Sequence, residues 1–218
     1  MMNVHLFVGP SATGMTVPIP DGIEVHPPAR RESIRRLTAQ HSTPGVILLA
    51  DGTFHSYPAV GHRELREALE SGWQVWGLCS MGAIRAAEMQ PLGMRGYGTV
   101  FRKFAEDPEF ADDEVALVHG LEPPFLPVSE PMVHIRAYLG HLGVTGALSA
   151  EQVDLTLDRF KNRWYAERTL PALARHLTDL GHETALAEVR AFGRFRLKTH
   201  DLESFLVARP WTLKEAHA

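Results

Sequence analysis

The chain has 218 residues, is 44% hydrophobic, and carries a formal net charge of −4 with a single cysteine. That length can bury a sizeable core, whereas the acidic balance excludes a general attraction to phosphate backbones, and one cysteine excludes a disulfide framework or a multi-cysteine metal centre. No apolar run approaches the roughly 20 residues that span a bilayer, and Met1-Met2-Asn3-Val4-His5 lacks the features of a secretion signal. The expected setting is therefore the cytoplasm, with neither nucleic acid nor membrane as partner.

The first half alternates strand and helix signals. Val4 to Val8 is a short apolar strand ended by Gly9-Pro10, and Gly22 to Val25 reads as a second strand stopped by Pro27-Pro28. A helix is predicted from about Arg30 to Gln40, with Ile34 and Leu37 on one face. The continuous run Val46 to Ala50 fits a parallel strand covered on both sides, and Asp51-Gly52 ends it. His62 to Glu70 reads as a helix closed by Gly72, Gln74 to Leu78 as a strand, and Met81 to Met89 as the next helix. This alternation predicts an α/β fold, a doubly wound parallel sheet, with ligands beyond the carboxyl ends of the strands. Asp51 and Ser80 fall there.

Beyond Pro91 the pattern changes. Gly93, Gly96 and Gly98 suggest an irregular stretch, Phe101 to Phe110 a short helix, and Val115 to Val118 a strand. Ser129-Glu130-Pro131 is a helix start signal, with the serine as cap, for a helix to about Leu142. From Ser149 onward successive helices are expected, with Leu155, Phe160, Trp164, Leu170, Leu173, Leu177, Leu186 and Val189 on their apolar faces. The expected organisation is an α/β core over 1–145 and a C-terminal helical extension over 146–218, packed on the core or forming a partner surface.

The segment from Val75 to Glu88 carries the most chemistry. A strand runs through small residues into a helix, which aims the first helical N–H groups at the strand ends. Cys79 and Ser80 sit at that junction. Ser80-x-Gly82 is half of a G-x-S-x-G nucleophile elbow, with the first glycine displaced to Gly77, so an ordinary structural turn stands beside the catalytic reading. Gly9-Pro10-Ser11-Ala12-Thr13-Gly14-Met15-Thr16 has phosphate-loop spacing, but Met15 replaces the lysine and Val17-Pro18-Ile19-Pro20 cannot start a helix. The twelve histidines, His55, His62, His119 and His134 among them, have no metal-ligand spacing, so no metal is expected except through distant assembly. No cofactor is expected either. Asp112-Asp113-Glu114 reads as a cation or base-orienting cluster, or more simply as a solvated turn.

His62 opens the helix after Asp51, where it could serve Ser80 as base or merely pack the helix start. Asp51, Glu64, Asp112 and Asp113 are the acids that could orient it. Arg85 and Glu88 form an ion pair three residues apart, or else Arg85 fixes an anionic carboxylate or thiocarboxylate.

These residues resemble the TfuA-like family, partners of YcaO enzymes in peptide thioamide formation. The resemblance rests on Phe7-Val8-Gly9-Pro10, Ala50-Asp51-Gly52-x-Phe54 and Ala59-Val60-x-His62-x-Glu64-Leu65. It continues through Ser80-Met81-Gly82-Ala83-Ile84-Arg85-Ala86-Ala87-Glu88, Gly93-Met94-x-Gly96-x-Gly98, Asp112 to Ala116, His119-Gly120 and Leu126 to Val133. The resemblance implies a role in sulfur incorporation, in which the YcaO enzyme activates a peptide amide and this chain helps deliver sulfide. The implied donor is a thiocarboxylated sulfur-carrier protein, and the peptide substrate is reached through YcaO. On that basis Ser80, His62 and Asp51 are the expected catalytic residues of a thiocarboxylate hydrolase. Cys79, Met81, Gly82, Arg85, Glu88, Glu64 and His119 are expected at the substrate, with amides near Met81 and Gly82 facing the oxyanion. Cys79 is the rival nucleophile, ranked below Ser80 because the family pattern favours serine at the second position. The alternatives are a non-catalytic adaptor docking YcaO with its peptide or carrier, and a serine esterase or amidase unrelated to sulfur.

Overall fold

Three strands with apolar residues on both faces organise the chain. In the computed structural model, which describes residues 3–53, 57–182 and 191–213, β1 (Val4–Phe7), β3 (Val46–Leu49) and β4 (Gln74–Leu78) form the centre of a five-stranded sheet. The edges are β2 (Ile23–His26) and β5 (Arg95–Tyr97), the order is β2-β1-β3-β4-β5, and every pairing is parallel. The period of two divides the side chains cleanly. Phe7, Ile47, Leu49 and Val75 face one core, while Val4, Leu6, Val46, Leu48, Trp76 and Leu78 face another.

The first core is covered by the crossovers, α1 (Ser33–Ala39), α2 (His62–Glu70) and α3 (Met81–Met89), through Ile34, Leu37, Leu65, Ala86 and Met89. The β1–β2 connection lies on the opposite face, where it contributes Ala12, Met15 and Ile19 to the second core. That division is what right-handed crossovers produce when the chain reverses direction after its first strand pair. The connection contains no α-helix, only a 3-10 turn at Pro10–Ala12, so most of the second face is covered from elsewhere. Helix α4 (Gly98–Glu106) follows β5, and much later α8 (Leu197–Ala208) supplies Leu202, Phe205 and Leu206.

Two carboxylates fasten α8 to backbone amides. Asp201 accepts from Thr99 and Val100 at 2.7 and 2.8 Å, capping α4, and Glu203 accepts from the amides of Thr16 and Val17. Each bond satisfies a donor that the fold otherwise leaves open. Gly98 is required at that cap: its φ is +96, and a Cβ would lie 2.4 Å from Asp201 Cγ.

The chain divides into two compact units. One extends to Phe110 and resumes at Lys198; the other is Ala111–Leu197. The second contains α5 (Met132–Val144), α6 (Ala150–Lys161) and α7 (Leu170–Asp179), packed through Tyr138, Leu139, Phe160, Leu173, Leu177, Phe192 and Phe195. The boundary expected after residue 145 falls between α5 and α6, inside this unit. Eight α-helices among the described residues with five parallel strands make this an α/β fold with C-terminal helices.

Several local expectations are corrected. Arg95–Tyr97 is a strand rather than an irregular stretch, because Gly96 leaves room for the Phe101 ring, which a Cβ would meet at 2.0 Å. Val115–Val118 is not a strand but a loop after a 3-10 turn, and Ser129 does not cap α5. Pro131 occupies that position, and Ser129 Oγ accepts from Val118 N at 2.9 Å. Leu155 and Trp164 are exposed rather than packed. Phe54, His55, Leu186 and Val189 lie outside the described residues. Ser149 does cap its helix, in a reciprocal capping box with Gln152.

The tightest packing is at α3, where a Cβ on Gly82 would lie 1.7 Å from Leu49 O. Gly82→Ala therefore forces helix and sheet apart and is expected to destabilise the protein by about 3 kcal/mol. Gly140→Ala, on α5 with nothing within 4 Å of the added carbon, should be neutral or gain up to about 1 kcal/mol of helix propensity. Chemical denaturation of the two variants checks the contrast.

Candidate functional site

The link between β4 and α3 is bent at Cys79, whose φ of +65 lies in the left-handed region. Ser80 N donates to Leu78 O at 2.7 Å across it. This is a three-residue turn with a non-glycine centre, a sparsely populated and strained conformation that persists where surrounding packing enforces it. The packing is evident: Ser80 N and Gly82 N both donate to Ala50 O, at 3.2 and 3.3 Å. A Cβ on Gly77 would approach Gly82 O to 2.0 Å. Strand β3, strand β4 and helix α3 thus meet almost backbone to backbone.

Ser80 stands at the N-cap of α3 and is 3% exposed. Among the described residues its Oγ has no hydrogen-bond partner, and neither has the N–H of Met81. Gly82, expected as an oxyanion donor, spends its N–H on Ala50. A free hydroxyl and a free amide therefore remain at the positive end of the helix dipole.

Cys79 is fully buried and donates to Lys198 O at 3.2 Å. Burial, with the carboxylates of Asp201 and Asp51, pushes its thiol well above the ordinary value and outweighs the opposing effects of Lys198 and Ser11. The reactive thiolate is accordingly disfavoured.

Asp51, also buried, ends β3 with every strong bond turned toward the β1 loop. Oδ2 accepts from Gly9 N and Ser11 N at 2.8 and 2.9 Å, and Oδ1 accepts from Ser11 Oγ at 2.7 Å. Lys198 Nζ lies 3.9 Å from Oδ1 and is 1% exposed. In this strand order the crevice where the order reverses, between β1 and β3, is the usual ligand position. Here the loop amides that would face a phosphate hold Asp51 instead. At the elbow beside β4, by contrast, the Ser80 hydroxyl and the Met81 N–H are without partners among the described residues.

His62 is engaged elsewhere. Its ring is largely exposed and Nε2 is 2.8 Å from Glu88 Oε2, which also accepts from Arg85 NH1 at 2.6 Å. Arg85 Nε donates to Val60 O at 3.0 Å. The three side chains tie the start of α2 to α3, and His62 is hydrogen-bonded neither to Ser80 nor to Asp51. Glu64 does not orient His62: its buried carboxylate accepts from Gly61 N, Glu32 N and Ile34 N at 2.8, 3.2 and 3.0 Å, binding two helix starts.

His119 and the acidic run belong to the second unit. His119 Nδ1 donates to Gly120 O at 2.7 Å. Asp113 pairs with Lys161 and with Arg168, the latter at 2.8 Å, and Glu114 pairs with Arg136 at 2.9 Å. Asp113 and Glu114 thus form an ion network anchoring helices of that unit, while Asp112 is exposed in the 3-10 turn.

The residues missed from sequence are Ser11, Lys198 and Asp201. They gather with Asp51 and Cys79 because α8 returns to the sheet more than a hundred residues after the elbow, and no local spacing announces that. A family model described as TfuA-like protein matches residues 51–169. No curated protein matches the chain.

The burial of Cys79 predicts that 5,5′-dithiobis(2-nitrobenzoate) reacts with native protein far more slowly than with protein in guanidinium. Equal rates in the two states, followed by absorbance, would show an accessible thiol and contradict the packing described.

Proposed function

Because the chain belongs to the TfuA-like family, which is associated with YcaO-type modification, we propose that it supplies sulfide to a YcaO enzyme forming backbone thioamides. The sulfur comes from the C-terminal thiocarboxylate of a carrier protein, and the chemistry is acyl transfer at Ser80. The observation that supports this reading is the pair of unused groups at the elbow, the Ser80 hydroxyl and the Met81 N–H.

In this scheme Ser80 Oγ attacks the thiocarboxylate carbonyl and loses its proton. The oxyanion forms at Met81 N–H and the end of α3, an interaction of a kind typically worth about 3–4 kcal/mol in the transition state. Collapse breaks the carbon–sulfur bond and expels hydrosulfide, leaving a carrier acyl ester on Ser80. Water then cleaves the ester to a carboxylate. The sum is thiocarboxylate plus water giving carboxylate, hydrosulfide and a proton. His62 takes the serine proton after its bond to Glu88 opens, a rearrangement that couples catalysis to arrival of a partner.

A second reading, the non-catalytic adaptor, is favoured by a specific observation. In the resting arrangement Ser80 is 3% exposed and carries no hydrogen bond to a base. The elbow then holds the carrier's C-terminus, and YcaO completes sulfur transfer.

Incubating purified protein with thiocarboxylated carrier alone separates the two. The enzyme reading predicts hydrosulfide release that falls about a hundredfold or more in Ser80→Ala, with Cys79→Ala retaining the wild-type rate. Release that occurs only when YcaO is present, and equally with Ser80→Ala, supports the adaptor and rejects the acyl-serine step.

A further inference from the structure

The histidines lack metal-ligand spacing in sequence, but strand pairing supplies what local spacing does not. His5 in β1 is in register with Glu24 in β2, and His26 lies two residues beyond Glu24 on the same face. His5 Nδ1 is 3.2 Å from His26 Nε2 and 3.3 Å from Glu24 Oε2, and His26 Nε2 is 3.7 Å from Glu24 Oε1. Ligands bound tetrahedrally at about 2.0–2.1 Å are separated from one another by about 3.3 Å, the edge of that tetrahedron. Measured to the nearer Glu24 oxygen in each case, the separations lie near this value, and one ligand atom from each residue lies within 4.8 Å of the others.

The surroundings suit a cation held by neutral imidazoles. His5 is 1% exposed and packs against the rings of His26, His41 and Trp73. Its Nε2 is buried without a partner, so the hydrogen-bonding capacity it uses is all directed through Nδ1 at Glu24 and His26. Burial lowers the pKa of both His5 and His26, outweighing the opposing pull of Glu24. The Glu24 side chain is 63% exposed and that of His26 20%, which leaves an entry path.

We infer that His5, Glu24 and His26 form a binding site for one divalent transition-metal ion. Two imidazoles and one carboxylate are a borderline nitrogen–oxygen set that suits Zn2+ and not the all-oxygen preferences of Mg2+ or Ca2+. The ion cross-links edge strand β2 to β1. This site stands apart from the elbow and does not depend on the sulfur-transfer reading.

The test uses full-length protein without a histidine tag. Titration with ZnCl2, followed by calorimetry and by thermal melting, should give one equivalent bound and a metal-dependent rise in Tm. Co2+ should give tetrahedral-intensity visible bands. His26→Ala and Glu24→Gln, both at the sheet edge, should each weaken Zn2+ binding about tenfold or more and abolish the cobalt bands. The melting curve of Glu24→Gln in chelator should match wild type. MgCl2 should leave the wild-type Tm unchanged. The inference fails if no equivalent of Zn2+ binds, or if both variants bind Zn2+ as wild type does, which would place the ion on other histidines.

Discussion

The closeness of helix α3 to the sheet governs the arrangement at the strand ends. Gly82 and Gly77 have no side chains to hold helix and strands apart, so Ala50 O receives two N–H groups from the far side of the β4 turn. The chain must then turn within one residue, and Cys79 takes the left-handed conformation that this requires. The first two groups of the helix, the Ser80 hydroxyl and the Met81 N–H, are left over once the packing bonds are made. The potential reactivity of the site is in this sense a residue of its packing.

A second constraint separates what is structural from what is available. The acid at the end of β3 is consumed by the β1 loop: Asp51 accepts three hydrogen bonds from Gly9 and Ser11, and buried Lys198 lies nearby. An aspartate so engaged supports the loop, and the imidazole of His62 is bound to Glu88 instead. The triad suggested by residue types is therefore divided in the resting protein between a buried anchor and an exposed ion cluster. Any acyl transfer at Ser80 has to include a step that brings a base to it.

The parallel sheet was legible because β1, β3 and β4 are apolar on both faces and each is followed by a turn signal. The elbow was legible because small residues between a strand and an amphipathic helix have few other uses. What escaped has physical reasons. Strand β5 carries Gly96, which reads as punctuation until the Phe101 ring occupies the space. The return of α8 to the second sheet face depends on long-range burial of Leu202 and Phe205, which has no local period. Asp113 and Glu114 look solvated in sequence because their cationic partners, Arg136, Lys161 and Arg168, lie in helices further along. The His5–Glu24–His26 group exists only through strand register.

The central claim is that sulfur release passes through an ester on Ser80. Rapid acid quench of the protein with thiocarboxylated carrier, followed by digestion and mass spectrometry, tests it most directly. The account predicts a transient carrier-acyl adduct on the peptide containing Ser80, absent from Ser80→Ala. Hydrosulfide released with no such adduct at any quench time, or with the adduct on Cys79, would contradict it.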